Sequence, residues 1–160
     1  MEKNALKEGD AAPQFQLQAD DGKEISLVGL HGKPVVLYFF PKALTSGCIT
    51  EASEFRDSKK QFDNAGAVIL GCSADTVAMQ SKFRERYRLN FPLLSDPEFL
   101  AIEAYGARRM KAFLGKSFLG IVRSTFLIDR DGRVAKIWDK VRAKGHAADV
   151  LSAIENLPQK

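Results

Sequence analysis

The chain holds two cysteines, and one of them, Cys48, stands where thiol chemistry is favoured. It closes the stretch "FFPKALTSGC" (Phe39–Cys48), which follows an apolar run and precedes a charged, helix-like segment. The first amides of a helix have no partner within it, and they sit at the positive end of its dipole. A thiol placed there is biased toward thiolate, and such placements typically bring a cysteine pKa from about 8.5 into the ~3.5–7.5 range. Gly47 lets a second amide approach a bound oxygen. Thr45 can cap the helix with its hydroxyl, or turn that hydroxyl toward the sulfur. The same pattern also fits a plain packing role, with Cys48 as a small apolar helix residue.

Cys72 ends a second apolar run and reads as core, since free cysteine is among the most buried residue types. A redox Cys-x-x-Cys pair would need a partner at position 45 or 51, where Thr45 and Glu51 stand. The two cysteines and two histidines, His31 and His146, lack metal-ligand spacing. Each histidine neighbours a glycine and reads as a loop or helix-cap residue. "GKS" at Gly115–Ser117 does not make a phosphate loop, because Met110 occupies the place of the required earlier glycine. "RRMK" at Arg108–Lys111 reads as a solvated face, and Trp138 as a core residue.

These residues need a scaffold, and the hydropathy pattern supplies one. "PVVLYFF" (Pro34–Phe40) is continuously apolar, as in a strand buried on both faces, and Pro41 ends it. Cys48, Ala52, Phe55 and Phe62 then recur at helical spacing, predicting one amphipathic helix closed by Asn64 and Gly66. "AVILGC" (Ala67–Cys72) is the next buried strand. Strand, helix and strand of these lengths predict a right-handed βαβ unit. Met79, Phe83 and Tyr87 predict a second helix, stopped at Phe91-Pro92, and a short strand precedes Ser95-Asp96. Residues 97–105 read as helix. Hairpins are expected around Asp20–Lys23 and around Asp131-Gly132. Val150, Leu151, Ile154 and Leu157 mark a C-terminal helix, and residues 1–13 read as loose. The layout is a thioredoxin-like α/β fold: a central mixed β-sheet flanked by helices, with an added N-terminal β-hairpin. In open sheets of this kind, sites form beyond the C-terminal ends of the parallel strands, where Cys48 lies.

The length of 160 residues fits a single domain, 1–160, with a substantial core. A net charge of +4, spread along the chain, points to a solvated basic surface and to no nucleic-acid partner. No apolar run approaches the ~18 residues of a membrane span, and the charged N-terminus does not read as a signal peptide. Two cysteines make no disulfide framework, so a reducing cytoplasm is expected.

"PKALTSGC" fits the Pro-x-x-x-Thr-x-x-Cys signature of peroxiredoxins. The longer stretches "VVLYFFPKALTSGCITEASEFRD" and "GIVRSTFLIDRDGRV" resemble the Q-type, or bacterioferritin-comigratory-protein, subfamily. So do "LKEGDAAPQFQL" near the start and "KVRAKGHAADVL" near the end, and the resemblance covers nearly the whole chain. It implies a thiol peroxidase, cytoplasmic, that needs no metal, haem or flavin. In that reading Cys48 is the peroxidatic nucleophile and Thr45 orients the peroxide. Pro41 walls the pocket, and Arg123 holds the thiolate and the peroxide oxygens. The backbone N–H groups of Gly47 and Cys48 contact those oxygens. The substrate is hydrogen peroxide or an alkyl hydroperoxide. Thioredoxin, glutaredoxin or a small thiol returns the electrons, and a monomer or weak homodimer is expected.

The chain departs from the subfamily at three places. Ser46 replaces a common proline. Ser53 stands where many members carry a resolving cysteine. "QSKFRERY", which holds the resolving residue of others, has none. Cys72 is then the only internal thiol that could resolve. It is expected to stay reduced, because its side chain should enter a packed layer. The rival reading is a non-enzymatic redox sensor or binding module on the same scaffold, using Cys48 without turnover.

Overall fold

The computed structural model describes residues 6–158. Seven strands form one sheet, built around the two apolar runs. They are β1 (Gln16–Ala19), β2 (Glu24–Ser26), β3 (Val35–Phe39), β4 (Val68–Ser73), β5 (Leu93–Ser95), β8 (Ser124–Ile128) and β9 (Val134–Trp138), in the order β2-β1-β5-β4-β3-β8-β9. β3, β4 and β5 run parallel, and the outer strands are antiparallel to their neighbours. β3 is buried along its whole length, as its unbroken apolar sequence requires of a central strand covered on both faces.

Side chains alternate across β3 and so divide the core in two. Val35, Leu37 and Phe39 join Leu70, Cys72, Leu94 and Phe126 on one face, which α4 (Leu100–Ala104) covers through Ala101 and Ile102. Val36, Tyr38 and Phe40 meet Ile69, Leu93 and Leu127 on the other. That second face carries α1 (Ser46–Asp57), α2 (Lys59–Asn64), α3 (Val77–Arg86) and α5 (His146–Glu155). Tyr38 stacks on Phe55 with ring centroids 4.8 Å apart, which docks α1 over the end of β3.

Several local expectations give way to the observed structure. The helix expected to run to Asn64 is two helices, with a break at Ser58 between α1 and α2. All four residues of its apolar stripe are nevertheless buried in one cluster. In α3 the inward side chains are Gln80 and Phe83, while Met79 is exposed. The Gln80 amide donates to Ser73 Oγ and to the Leu94 carbonyl, each at 2.8 Å, so a polar residue ties α3 to the ends of β4 and β5. The N-terminal hairpin forms as expected, and β1 also pairs with β5. Part of the segment read as loose is ordered. Gly9 N and Ala12 N donate to the carbonyls of Val134 and Gly132, while residues 1–5 of that segment lie outside the described residues.

Nothing in the hydropathy pattern of 108–121 announces the separate hairpin of β6 (Arg108–Phe113) and β7 (Lys116–Ile121). Leu114 and Gly115 turn it with φ of 52° and 78°, the two left-handed residues of a tight hairpin turn. The "GKS" stretch is therefore the second turn residue, Gly115, and the first two residues of β7. Both arginines of "RRMK" are ion-paired, Arg108 to Glu103 and Arg109 to Asp139. His146 is not a loop residue, and the cap of α5 is its neighbour Gly145. His146 opens α5, is buried, and sits 2.7 Å from Thr125 Oγ1. Trp138 is half-buried and packs edge-on against that imidazole.

Gly71 on β4 faces Tyr38, and a Cβ there would lie 2.9 Å from Leu93 Cδ2 and from the Tyr38 Cζ and hydroxyl. All of these atoms belong to fully buried side chains. Gly71→Ala should therefore lower the unfolding free energy by about 1–3 kcal/mol through overpacking, read as a lower urea midpoint at unchanged m-value.

Candidate active site

Cys48 is the third residue of α1, and the helix begins where the chain leaves β3. The first intrahelical bond joins Ile49 N to the Thr45 carbonyl at 2.9 Å. The amides of Gly47 and Cys48 thus lie in the first turn, ahead of that ladder. The loop between β3 and α1 is anchored from the neighbouring strand. Phe40 N donates to the Cys72 carbonyl at 3.0 Å. Asp75, just beyond β4, accepts from Ala43 N at 2.8 Å and from Ser73 Oγ at 2.6 Å. Leu44 adopts the left-handed region at φ 66°, a conformation that a non-glycine residue keeps only where its surroundings fix it. Pro41 is half-buried at the start of this loop.

Arg123 reaches the same point from the segment entering β8. Its Nη2 lies 3.4 Å from Cys48 Sγ, and its Nη1 donates to Glu51 Oε1 at 2.7 Å. Glu51 is fully buried, three residues after Cys48 on the same face of α1. Burial drives its carboxyl pKa up to about 7; Arg123 opposes that rise and Glu54 adds to it. Burial also works against the Arg123 charge, but Glu51 and Cys48 outweigh it and raise the guanidinium further. Tyr38 completes the group from the sheet below. Its phenol is held neutral, first by burial and then by Glu51 and Cys48.

The structure brings Cys48, Gly47 and Arg123 together. Thr45 is the N-terminal cap residue of α1, but its hydroxyl caps no amide and does not bond the sulfur. It donates instead to the Lys42 carbonyl at 2.7 Å, which leaves its lone pairs available. Cys72 lies apart from the group. It pairs with Phe39 in the β3–β4 register and points into the core on the opposite face of the sheet from Cys48. Burial pushes its thiol pKa well up, with Asp96 adding to the effect. The two residues lie near one edge of the sheet, but their side chains are divided by the sheet itself. Glu51, Asp75 and Tyr38 were not singled out by sequence reasoning. Only Glu51 carried a signal, since Cys48, Glu51, Ala52 and Phe55 share the i, i+3, i+4, i+7 stripe that marks a buried helix face.

A nearly buried thiol (Cys48 is 1% exposed) at a helix start, with a guanidinium beside it, can meet an electrophilic oxygen with donors already aimed. That is the layout of a thiol peroxidase on a thioredoxin-like fold. Comparison with known proteins agrees. The AhpC/TSA family matches residues 8–137. Peroxiredoxin Bcp of Bacillus subtilis is 43% identical over 95% of this chain and 97% of its own length. Xanthomonas campestris peroxiredoxin Q superposes with a TM-score of 0.85 at 39% identity, covering 88% of this chain and 89% of the other. A structure of the Xanthomonas campestris bacterioferritin comigratory protein, from work on its alkyl peroxide reduction activity in trapped-intermediate and ligand complexes, gives 0.85 at 38% identity, over 88% and 90%. The chain belongs to the peroxiredoxins, among their Bcp or Q-type members, and is a thiol-dependent peroxidase.

Gly47 is required by the closeness of Arg123. A Cβ at Gly47 would stand 2.8 Å from Arg123 Nη2, and the guanidinium can yield only by leaving the sulfur. Gly47→Ala should hold stability within about 0.5 kcal/mol while slowing the reaction with peroxide roughly 10-fold or more, through loss of an aimed donor. Denaturation and stopped-flow measurements on one preparation separate the two effects.

Proposed function

We propose that Cys48 is the peroxidatic nucleophile and that Arg123, Thr45 and the amides of Gly47 and Cys48 form the peroxide site. The observation that carries this reading is the 3.4 Å approach of Arg123 Nη2 to Cys48 Sγ at the start of a helix. A sulfur lone pair attacks one peroxide oxygen; the S–O bond forms as the O–O bond breaks. Charge grows on the departing oxygen, which the guanidinium and the free amides of the first turn are placed to stabilise. Arginine suits the task because it stays charged and presents a planar fork of donors. Thr45, whose hydroxyl proton is engaged by Lys42, accepts the peroxide O–H and so orients it. Pro41 walls the pocket. The products are an alcohol or water and a Cys48 sulfenic acid.

An external thiol then condenses with the sulfenic acid, releasing water and leaving a mixed disulfide. A second thiol attacks that disulfide and restores Cys48. Thioredoxin, glutaredoxin or a small thiol fits this role. Hydrogen peroxide and small alkyl hydroperoxides suit a sulfur so little exposed. Cys72 stays reduced in this scheme. The sheet stands between it and Cys48, and burial holds it as a thiol, a poor nucleophile. Residues 1–160 act as one domain, a monomer or weak homodimer of the cytoplasm. No helix among the described residues is long and apolar enough to cross a membrane.

Cys48→Ser should abolish peroxidase activity, since a hydroxyl is scarcely ionised near neutral pH. Arg123→Ala should slow the peroxide step by roughly 10²-fold or more. Cys72→Ser should leave that step and the thiol-supported turnover unchanged. Stopped-flow rates with hydrogen peroxide and with an alkyl hydroperoxide test all three. Full activity of Cys48→Ser, or a Cys48–Cys72 disulfide in non-reducing peptide maps, would overturn the scheme.

A further inference from the structure

Glu51 is a second acid on the same arginine. Its Oε1 accepts from Arg123 Nη1 while Nη2 of that guanidinium contacts Cys48 Sγ. Its Oε2 is buried and has no partner. A carboxylate with one bare oxygen in a site 0% exposed is expensive. A carboxylic acid costs less, since the bare oxygen then carries no charge, although its O–H is left without a partner. If Glu51 and Cys48 were both anionic, one cation would face two anions away from water. With either one neutral, the buried charges cancel.

The surrounding groups do not change this balance. Tyr38, from β3, is held neutral and also has a buried hydroxyl without a partner. His146, from α5, is neutral near pH 7 because burial lowers its pKa to about 4, and its ring bonds Thr125 of β8. Glu54, one turn along α1, is engaged by Gly145 N and adds only negative potential. Arg123 is the sole cation that contacts either acid among the described residues.

We propose that Glu51 and Cys48 share one negative charge beside Arg123, so that Glu51 is protonated while Cys48 is a thiolate and ionises when the sulfur is oxidised. The inference rests on the reading of Cys48 as the nucleophile. The step balances as Cys48–S⁻ plus Glu51–COOH plus ROOH giving Cys48–SOH plus Glu51–COO⁻ plus ROH. Two electrons pass from sulfur to the peroxide. The carboxyl loses the proton that the departing RO⁻ gains, and the site remains neutral throughout. When an outside thiol reduces the sulfenic acid and the thiolate returns, Glu51 takes a proton back. Glu51 touches no reacting atom and acts through Arg123, as a charge-compensating residue.

The consequence is measurable as proton stoichiometry. Reduced enzyme is mixed with one equivalent of hydrogen peroxide in weak buffer with a pH-indicator dye. Thiolate absorbance is followed in parallel, so that protons are counted per thiolate consumed. At about pH 7.5 the wild type should take up well under one proton per thiolate, because a carboxyl that titrates near 7 beside a neutral sulfur gives up its proton there, and at about pH 6, where Glu51 stays mostly protonated in both states, about one. Glu51→Gln has no proton to supply and should take up about one at both. Wild-type uptake near one at both pH values would overturn the proposal. Should Glu51→Gln fail to fold, the wild-type pH dependence alone decides. A peroxide reaction that consumes no thiolate would instead overturn the parent reading of Cys48, and the proposal with it.

Discussion

A guanidinium held out of water needs anions beside it, and the placement of Arg123 organises much of this protein. Arg123 enters from the strand antiparallel to β3, while Cys48 and Glu51 come from the helix that follows β3. The β3–β8 register pairs Phe39 with Ser124, so the residue before β8 arrives where the β3 chain leaves the sheet. Neither part of the site can be built without the other. The contact joins residues about half the chain apart, and the sheet that makes it possible is packed on both faces.

The remaining features serve that contact. Tyr38, stacked on Phe55, sets α1 over the end of β3. Asp75 fixes the loop from the β4 side by binding Ala43 N, which determines where the first turn of α1 begins. Gly47 leaves room for the guanidinium that a side chain would displace. None of these residues is reactive. Each removes a freedom that would otherwise let the arginine swing away from the sulfur.

Much of this was legible in the sequence because the strongest signals are local. The β3 and β4 strands appear as apolar runs, and the Asp131-Gly132 turn announces the β8–β9 hairpin. The four- and three-residue spacing of Pro41, Thr45 and Cys48 with its flanks carried the resemblance to peroxiredoxins. What stayed hidden depends on tertiary contacts. Glu51 reads as one more surface acid until its place on the Cys48–Ala52–Phe55 stripe is noticed. His146 follows a glycine and looks like a cap, yet Thr125, twenty-one residues away, gives its ring a buried partner. The β6–β7 hairpin has apolar residues exposed on both faces, among them Met110, Phe113 and Phe118, so it lacks the alternation that marks a half-buried strand. The direction of the Thr45 hydroxyl was equally out of reach, because it depends on a carbonyl that the loop alone positions.

The sheet that divides Cys48 from Cys72 has a consequence in time. An enzyme that can close an internal disulfide puts its oxidised sulfur into a protected form as soon as it is made. Here the second thiol faces the other layer of the core, and in the proposed scheme the oxidised sulfur waits for a molecule that must diffuse in. The duration of that wait is set by the supply of reductant. During a burst of peroxide, a sulfenic acid kept waiting meets further oxidant, and the next stage of oxidation is a sulfinic acid that simple thiols do not reverse. In the proposed scheme the balance between turnover and this lasting oxidation is set by how fast reductant arrives.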